Sequence, residues 1–366
     1  MRFHFVKIFL LVFGLLVVWS FAGEQMAELR RSQAAAVEAI RSTAVTVAPN
    51  SSPTEIAKAS NQGVDLTRIP IGDGRISTAP QVGYVWSCRT RFRTSAGPYA
   101  NSGAWVQADG TYNLRTKPTV KGSVTWPSQF EIALSDGVRS IIGNRLPKHP
   151  TGQFPIARND PAYAFDTNPN SITSEDYQVD LPAMPEVADT AACVPMGRIG
   201  VLRTGGYIFN ALDVWGKDAV AYEIQDSCQG HPERHGAYHY HNLTTCLEDK
   251  IEGSAQVTGH SALVGYAFDG FGIYGHRGEG GKVLTNADLD ACHGHTHDIT
   301  WDGKKVNLYH YHATWEYPYT IGCYRGTPVV RSNNPQGPPN RQGPPDFQGP
   351  PPPQMPPPGG GEGLFF

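Results

Sequence analysis

Between residues 64 and 195 short β-branched and aromatic runs alternate with turn residues, and no helical period of useful length appears. Gly83-Tyr84-Val85-Trp86-Ser87-Cys88 has the character of a strand. Ala104-Trp105-Val106-Gln107 and Thr111-Tyr112-Asn113-Leu114 flank Ala108-Asp109-Gly110, which predicts a hairpin around Asp-Gly. Residues 120–126 and 130–134 predict two more strands, residues 143–155 a loop, and residues 160–185 a long irregular excursion. Upstream, residues 24–44 carry only small, scattered apolar side chains, which suits an exposed helix that packs little, and residues 46–61 read as a Ser/Thr/Ala/Pro linker. Past Tyr324 the chain becomes a Gln-Gly-Pro-Pro repeat at residues 336–339, 342–345 and 348–351, too poor in apolar residues to bury a core.

The second half is internally repetitive. Tyr238-His239-Tyr240-His241 recurs as Tyr309-His310-Tyr311-His312. Asp226-Ser227-Cys228-Gln229-Gly230-His231 precedes the first copy, Asp290-Ala291-Cys292-His293-Gly294-His295 precedes the second, and Cys246 and Cys323 follow them. Gly206-Tyr207-Ile208-Phe209-Asn210-Ala211 also matches Gly265-Tyr266-Ala267-Phe268-Asp269-Gly270 in spacing and type. The second copy carries a longer connection with a Trp301-Asp302-Gly303-Lys304 turn. Two copies are too few for a solenoid, so a pseudo-twofold pair of β units is expected. The fold class read from these patterns is mainly β, a sandwich- or barrel-like domain with an internally duplicated C-terminal half, loop-rich and stapled by disulfides. Its expected extent is residues 64–328, with a β-rich part over 64–195 and a His-rich duplicated part over 196–328.

Composition narrows the setting. Forty glycines and thirty prolines suit short strands and many turns, and a net charge of −3 offers no basic field for nucleic acid. Arg2 and Lys7 flank an apolar run over residues 8–19, followed by Ser20-Phe21-Ala22. This predicts a secretory signal peptide over residues 1–22 and an extracytoplasmic, periplasmic or secreted, protein without a membrane span after cleavage; an uncleaved anchor is the alternative. Residues 23–63 then form a poorly ordered helix and linker, and residues 329–366 a disordered tail that tethers or docks. Six cysteines in an oxidising compartment imply disulfides, and the repeat favours Cys228 with Cys246 and Cys292 with Cys323, leaving Cys88 with Cys193.

The chemistry is carried by histidine. Eleven of the thirteen histidines fall between His231 and His312. On a strand, residues i and i+2 share a face, so His239 and His241 point one way, His310 and His312 likewise, and the tyrosines oppositely. The repeat nominates His231 and His295 as third imidazoles, giving His231, His239, His241 and His295, His310, His312 as the expected ligands, in two sites or one shared one. Neutral imidazoles suit divalent copper or zinc, and an open position on a three-histidine site is the arrangement of a catalytic zinc. His235, His293 and His297 lack counterparts and are expected to be exposed loop residues; His149, His260 and His276 are read as ordinary packing histidines. Asp269 is the one candidate for a general base or for orienting a ligand histidine.

These motifs resemble the YHYH family of secreted proteins. The resemblance rests on Asp226 to His231, both tetrapeptides, His260-Ser-Ala-Leu-Val-Gly-Tyr-Ala-Phe-Asp-Gly-Phe-Gly-Ile-Tyr-Gly275 and Asp290 to His295. It implies an extracytoplasmic domain and brings no activity with it. Three functions are therefore weighed: a metal-binding protein, with or without copper- or zinc-dependent catalysis; a module for a small-molecule, glycan or matrix ligand; and a structural domain whose His/Tyr motifs hold the fold.

Overall fold

The computed structural model describes residues 64–92, 102–248 and 259–329. The signal peptide expected over 1–22, the helix and linker expected over 23–63 and the tail beyond 329 lie outside the described residues. The protein is mainly β, as its pattern predicts, and its centre is one open eight-stranded sheet; no closed barrel forms among the described residues. The sheet's strands are β1 (Arg198–Leu202), β2 (Tyr207–Phe209), β3 (Gly230–Pro232), β4 (Tyr238–Tyr240), β5 (Leu263–Ala267), β6 (Gly272–Tyr274), β7 (Gly294–Trp301) and β8 (Lys304–His312).

Their order, β3-β4-β2-β1-β5-β6-β8-β7, is a palindrome of two four-stranded halves. Register shows that the relation is twofold. At the seam β1 and β5 run antiparallel with Tyr266 opposite Val201, Gly265 opposite Leu202 and Ala267 opposite Gly200. Exchanging the halves leaves the first pair in place and swaps the other two. Further out, β2 and β4 are parallel with Ile208 opposite Tyr240, and β6 and β8 are parallel with Ile273 opposite Tyr311. The outermost pairs set His231 opposite His239 and His295 opposite His310.

The twofold corrects one alignment made from sequence. Ile208 is equivalent to Ile273, so the segment 206–211 corresponds to 271–276. The segment 265–270 corresponds instead to 200–205, with Gly205 and Gly270 both at positive φ. The Gly-Tyr-apolar pattern occurs in both β2 and β5, which are not equivalent under the twofold, so residue type and spacing alone matched the wrong pair.

The duplicated motif has a structural logic at each of its non-histidine positions. Asp226 Oδ1 accepts from the backbone N–H of Cys228 and Gly230 at 2.9 and 3.3 Å, and Asp290 Oδ1 accepts from Cys292 and Gly294 at 2.9 and 3.1 Å. The residue inside each turn, Gln229 or His293, has positive φ. The first tyrosine of each tetrapeptide donates to the same carboxylate, Tyr238 to Asp226 at 2.7 Å and Tyr309 to Asp290 at 3.0 Å. Its ring fills the space over Gly230 or Gly294, where a Cβ would lie 2.4 Å from the phenol, so only glycine fits. The disulfides Cys228–Cys246 and Cys292–Cys323 then close loops of 18 and 31 residues around each tetrapeptide, and Cys88–Cys193 links the N-terminal part to the start of the sheet. In the chain-entropy account the two shorter closures each stabilise the fold by roughly 3–4 kcal/mol.

Around this sheet lie smaller ones. The Asp-Gly hairpin forms, with Val106 bridging Tyr112, but its second arm pairs chiefly with Ile69–Pro70. Phe130–Ser135, Val138–Gly143 and Tyr177–Pro182 form a three-stranded antiparallel sheet. Its third strand lies inside the stretch expected to be irregular; the alternation of Tyr177, Val179 and Leu181 was its signal, obscured by the prolines and polar residues around it. Arg139 ties this sheet to the central one: it is buried, pairs with Asp302 at 2.7 Å and lies over the rings of Tyr266 and Trp301.

Candidate metal centres

The period-two geometry puts every tetrapeptide histidine on one face of the sheet and every tetrapeptide tyrosine on the other. On the histidine face two separate clusters form, one in each half, rather than a single shared centre.

In the first, His231 on β3, His239 on β4 and His241 just beyond it converge with Glu223. Glu223 is the residue at the C-terminal end of a short helix, Ala219–Tyr222, whose N-terminus is capped by the buried Asp218. Its Oε2 lies 3.1 Å from His231 Nε2 and 3.0 Å from His241 Nε2, while His239 Nε2 and His241 Nε2 are 3.1 Å apart. Tetrahedral zinc with bonds of about 2.0–2.1 Å places its donors roughly 3.3 Å from one another, close to these separations.

The second cluster joins His260, His297, His310 and His312, whose donor atoms all lie within 4.8 Å of one another. His297 Nε2 and His310 Nε2 are 3.1 Å apart. His295 is not in that tightest set, yet its ring packs against those of His297, His310 and His312 at 4.6, 4.9 and 4.9 Å, and its buried Nε2 has no hydrogen-bond partner.

The tautomers follow from the partners. A carbonyl oxygen only accepts, so each Nδ1 bonded to one must carry the proton. That holds for His239 with Ala237 O (3.2 Å), His241 with Asn210 O (2.6 Å), His310 with Leu308 O (2.9 Å) and His312 with Gly275 O (2.7 Å). It holds too for His260 with Ser261 O (2.8 Å) and His297 with Asp298 O (3.1 Å). Each neutral ring of the second cluster then presents a bare Nε2 lone pair, and those of His297 and His310 at 3.1 Å repel unless a cation or proton lies between them. In the first cluster His241 Nε2 also lies 3.0 Å from the Glu223 carboxylate, which draws a proton onto that ring when no cation is bound. Backbone carbonyls on Nδ1 are also the usual outer partners of metal-bound imidazoles.

Charge separates the two clusters. Burial opposes ionisation of Glu223, but the imidazoles of His231 and His241 outweigh it and hold the carboxyl well below its usual range; burial likewise lowers His241, but Glu223 raises it on balance. His239 is driven well down, by burial first and then by its imidazole neighbours. In the second cluster every shift resolved is downward and led by burial: His310 to about 3, His295 to about 4, with His260 and His312 also lowered. His310 therefore supplies no bridging proton at neutral pH.

The depressed values predict acid sensitivity. An imidazole that titrates near 6.5 when unfolded and near 3–4 when folded contributes stability above about pH 6.5 that is lost as the pH falls. His293, buried outside the clusters beside Thr314 Oγ1 at 3.0 Å and lowered to about 3 by burial, acts in the same sense. The metal-free protein is expected to melt at progressively lower temperature from pH 6.5 to 4, with a shallower fall in His293→Asn, because asparagine tolerates positive φ and removes one titrating ring. Melting temperatures across that range test it; a flat profile contradicts it.

Several expectations are corrected here. His293 and His297 are buried, not exposed loop residues. His297 and His260 belong to the second cluster. Glu223 was missed altogether. His295-x-His297 repeats the strand spacing of the tetrapeptides and could have nominated His297; nothing local marks Glu223 or His260, which reach their clusters from loops. Asp269 lies on the tyrosine side, where its Oδ2 accepts from Tyr311 Oη at 2.6 Å, and it joins neither cluster. His149 and His276 keep packing roles, against Tyr240 Oη at 2.5 Å and stacked on Trp315. His149 also lies near Cys228 and Cys246, but those sulfurs are joined in a disulfide and supply no thiolate.

Among the described residues no helix is long and apolar enough to cross a membrane. Residues 178–281 match the family model described as YHYH protein, the family the motifs resemble; the match spans the whole first cluster and, of the second, His260. No curated protein and no solved structure matches the chain.

Proposed function

We propose that this chain, which carries a YHYH domain, is an extracytoplasmic protein that binds divalent metal, copper or zinc, at two separate centres. The first uses Glu223, His231, His239 and His241; the second uses His260, His297, His310 and His312, with His295 beside them. The observation that carries the reading is the 3.1 Å Nε2 contact between His297 and His310, whose protons are held on Nδ1 by backbone carbonyls, matched in the first cluster by three imidazoles converging on the Glu223 carboxylate. Three disulfides support an oxidising compartment, consistent with the leader read at the N-terminus.

Elemental analysis of untagged protein, followed by titration with Zn²⁺ and Cu²⁺, is expected to give two metal equivalents per chain. His239→Ala should remove one and His310→Ala the other. No stoichiometric metal under any loading overturns the reading. The fold-holding alternative draws on the Tyr238–Asp226 and Tyr309–Asp290 bonds, which do organise the turns. Those bonds account for the tyrosines and leave the converging Nε2 atoms of the second cluster unexplained. Under that alternative, metal would change neither the melting temperature nor the effect of the histidine variants.

A further inference from the structure

We infer that the two centres select different metals: the carboxylate-bearing cluster takes zinc, and the second is a five-imidazole, square-pyramidal site for Cu²⁺. This rests on the metal-binding reading above and deepens it.

The argument begins with the pattern of ring contacts in the second cluster. His260 packs against His297 at 5.0 Å, His297 against His295 at 4.6 Å, His295 against His312 at 4.9 Å, and His312 against His260 at 4.9 Å. Those four rings close a quadrilateral. No ring contact joins its opposite corners, His260 with His295 or His297 with His312. The fifth ring, His310, touches all four corners, at 5.6, 4.5, 4.9 and 5.0 Å from His260, His297, His295 and His312. Four rings around a square and a fifth over all of them is the layout of a tetragonal, five-coordinate ion. Tetragonal nitrogen sites suit Cu²⁺, which also stands at the top of the affinity series for such donors; zinc in closed protein sites takes four donors in a tetrahedron.

The available donors agree for four of the rings, and the His295 ring, whose donor lies outside their mutual 4.8 Å, must turn inward to complete the set. Nε2 of His260, His295 and His312 is buried without a hydrogen-bond partner, and Nε2 of His297 and His310 face each other. Among the described residues no carboxylate joins the cluster. Glu279 Oε1 lies 3.9 Å from His297 Nδ1, the nitrogen opposite the one that meets His310, and its side chain is mostly exposed. It can offset charge without ligating. The first cluster differs on each count: four donors instead of five, one of them a carboxylate, at separations near those of a zinc tetrahedron.

The test loads metal-free protein with one equivalent each of Cu²⁺ and Zn²⁺ and reads copper by electron paramagnetic resonance and both metals by elemental analysis after desalting. One copper and one zinc are expected per chain, the copper with an axial spectrum whose ligand superhyperfine structure comes from nitrogen alone. Glu223→Gln should release zinc and leave the copper spectrum unchanged. His297→Ala should lose the axial signal, and His295→Gln, at a half-buried position that perturbs folding less, should alter it. If both centres bind metal but copper distributes between them, or its spectrum responds to Glu223→Gln and not to His295→Gln, the selectivity is wrong while the metal-binding reading stands. If neither centre retains metal, that earlier reading fails and this one with it.

Discussion

Gly265→Ala is expected to abolish cooperative folding or to destabilise the protein at or beyond the upper end of the roughly 1–3 kcal/mol typical of overpacking. A Cβ at Gly265 would lie 2.5 Å from the carbonyl oxygen of Val201, and one at Gly200 would lie 2.5 Å from that of Tyr266. Both obstacles are backbone atoms within the β1–β5 ladder, so no rotamer change relieves them. The strands would have to separate, and this seam joins the two halves of the sheet. Gly200→Ala should behave alike, because the twofold exchanges the two positions. Gly259→Ala is the control: among the described residues a Cβ there meets nothing within 4 Å, and stability should stay within about 0.5 kcal/mol. Denaturant unfolding of the three variants decides the matter. A wild-type midpoint in Gly265→Ala would show that the seam is more compliant than its contacts imply.

Asp269→Ala should cost about 3 kcal/mol or more while leaving two metal equivalents bound. The Asp269 carboxylate is buried and accepts from Tyr311 Oη at 2.6 Å and from the backbone N–H of Arg325 and Gly326 at 3.1 and 2.9 Å. Removing it leaves Tyr311 Oη and the Gly326 N–H to find other partners, while the Arg325 N–H keeps its 2.7 Å bond to Tyr311 Oη, and each donor that fails costs about 1–3 kcal/mol. Burial raises the carboxyl above its ordinary range despite those bonds. A raised carboxyl beside a glycine turn invites a catalytic reading, but its hydrogen bonds are spent on the opposite side of the sheet from the imidazoles. Melting temperature and metal content measured together separate the roles: loss of stability with full metal content supports the structural one, whereas normal stability with altered metal binding would return Asp269 to the candidate chemistry.

The same separation of faces explains why so much of the candidate site could be read before the fold was known. A Tyr-His-Tyr-His run on a strand must send its histidines one way and its tyrosines the other, whatever surrounds it. Repetition of the Asp-x-Cys-x-Gly-His turn and the closing cysteine marked the two units, and the disulfides join the cysteines that the repeat pairs. The Trp301-Asp302-Gly303-Lys304 turn also forms, with positive φ at both central residues and Trp301 opposite Lys304.

Local sequence therefore determined the β class, the duplication, the cystine framework and the central pairs of imidazoles, because period, spacing and turn chemistry act over a few residues. Tertiary structure decided the rest. It chose an open sheet over a closed barrel, matched β2 to β6 through strand pairing rather than residue type, and kept the two histidine sets apart in opposite halves. It also brought Glu223 to one set and His260 to the other, from loops whose sequence carries no period. Ligands delivered that way are fixed by long-range packing: the capped helix before Glu223 and the seam that orders β5 just after His260 set where those side chains can reach, and neither constraint exists until the sheet has formed.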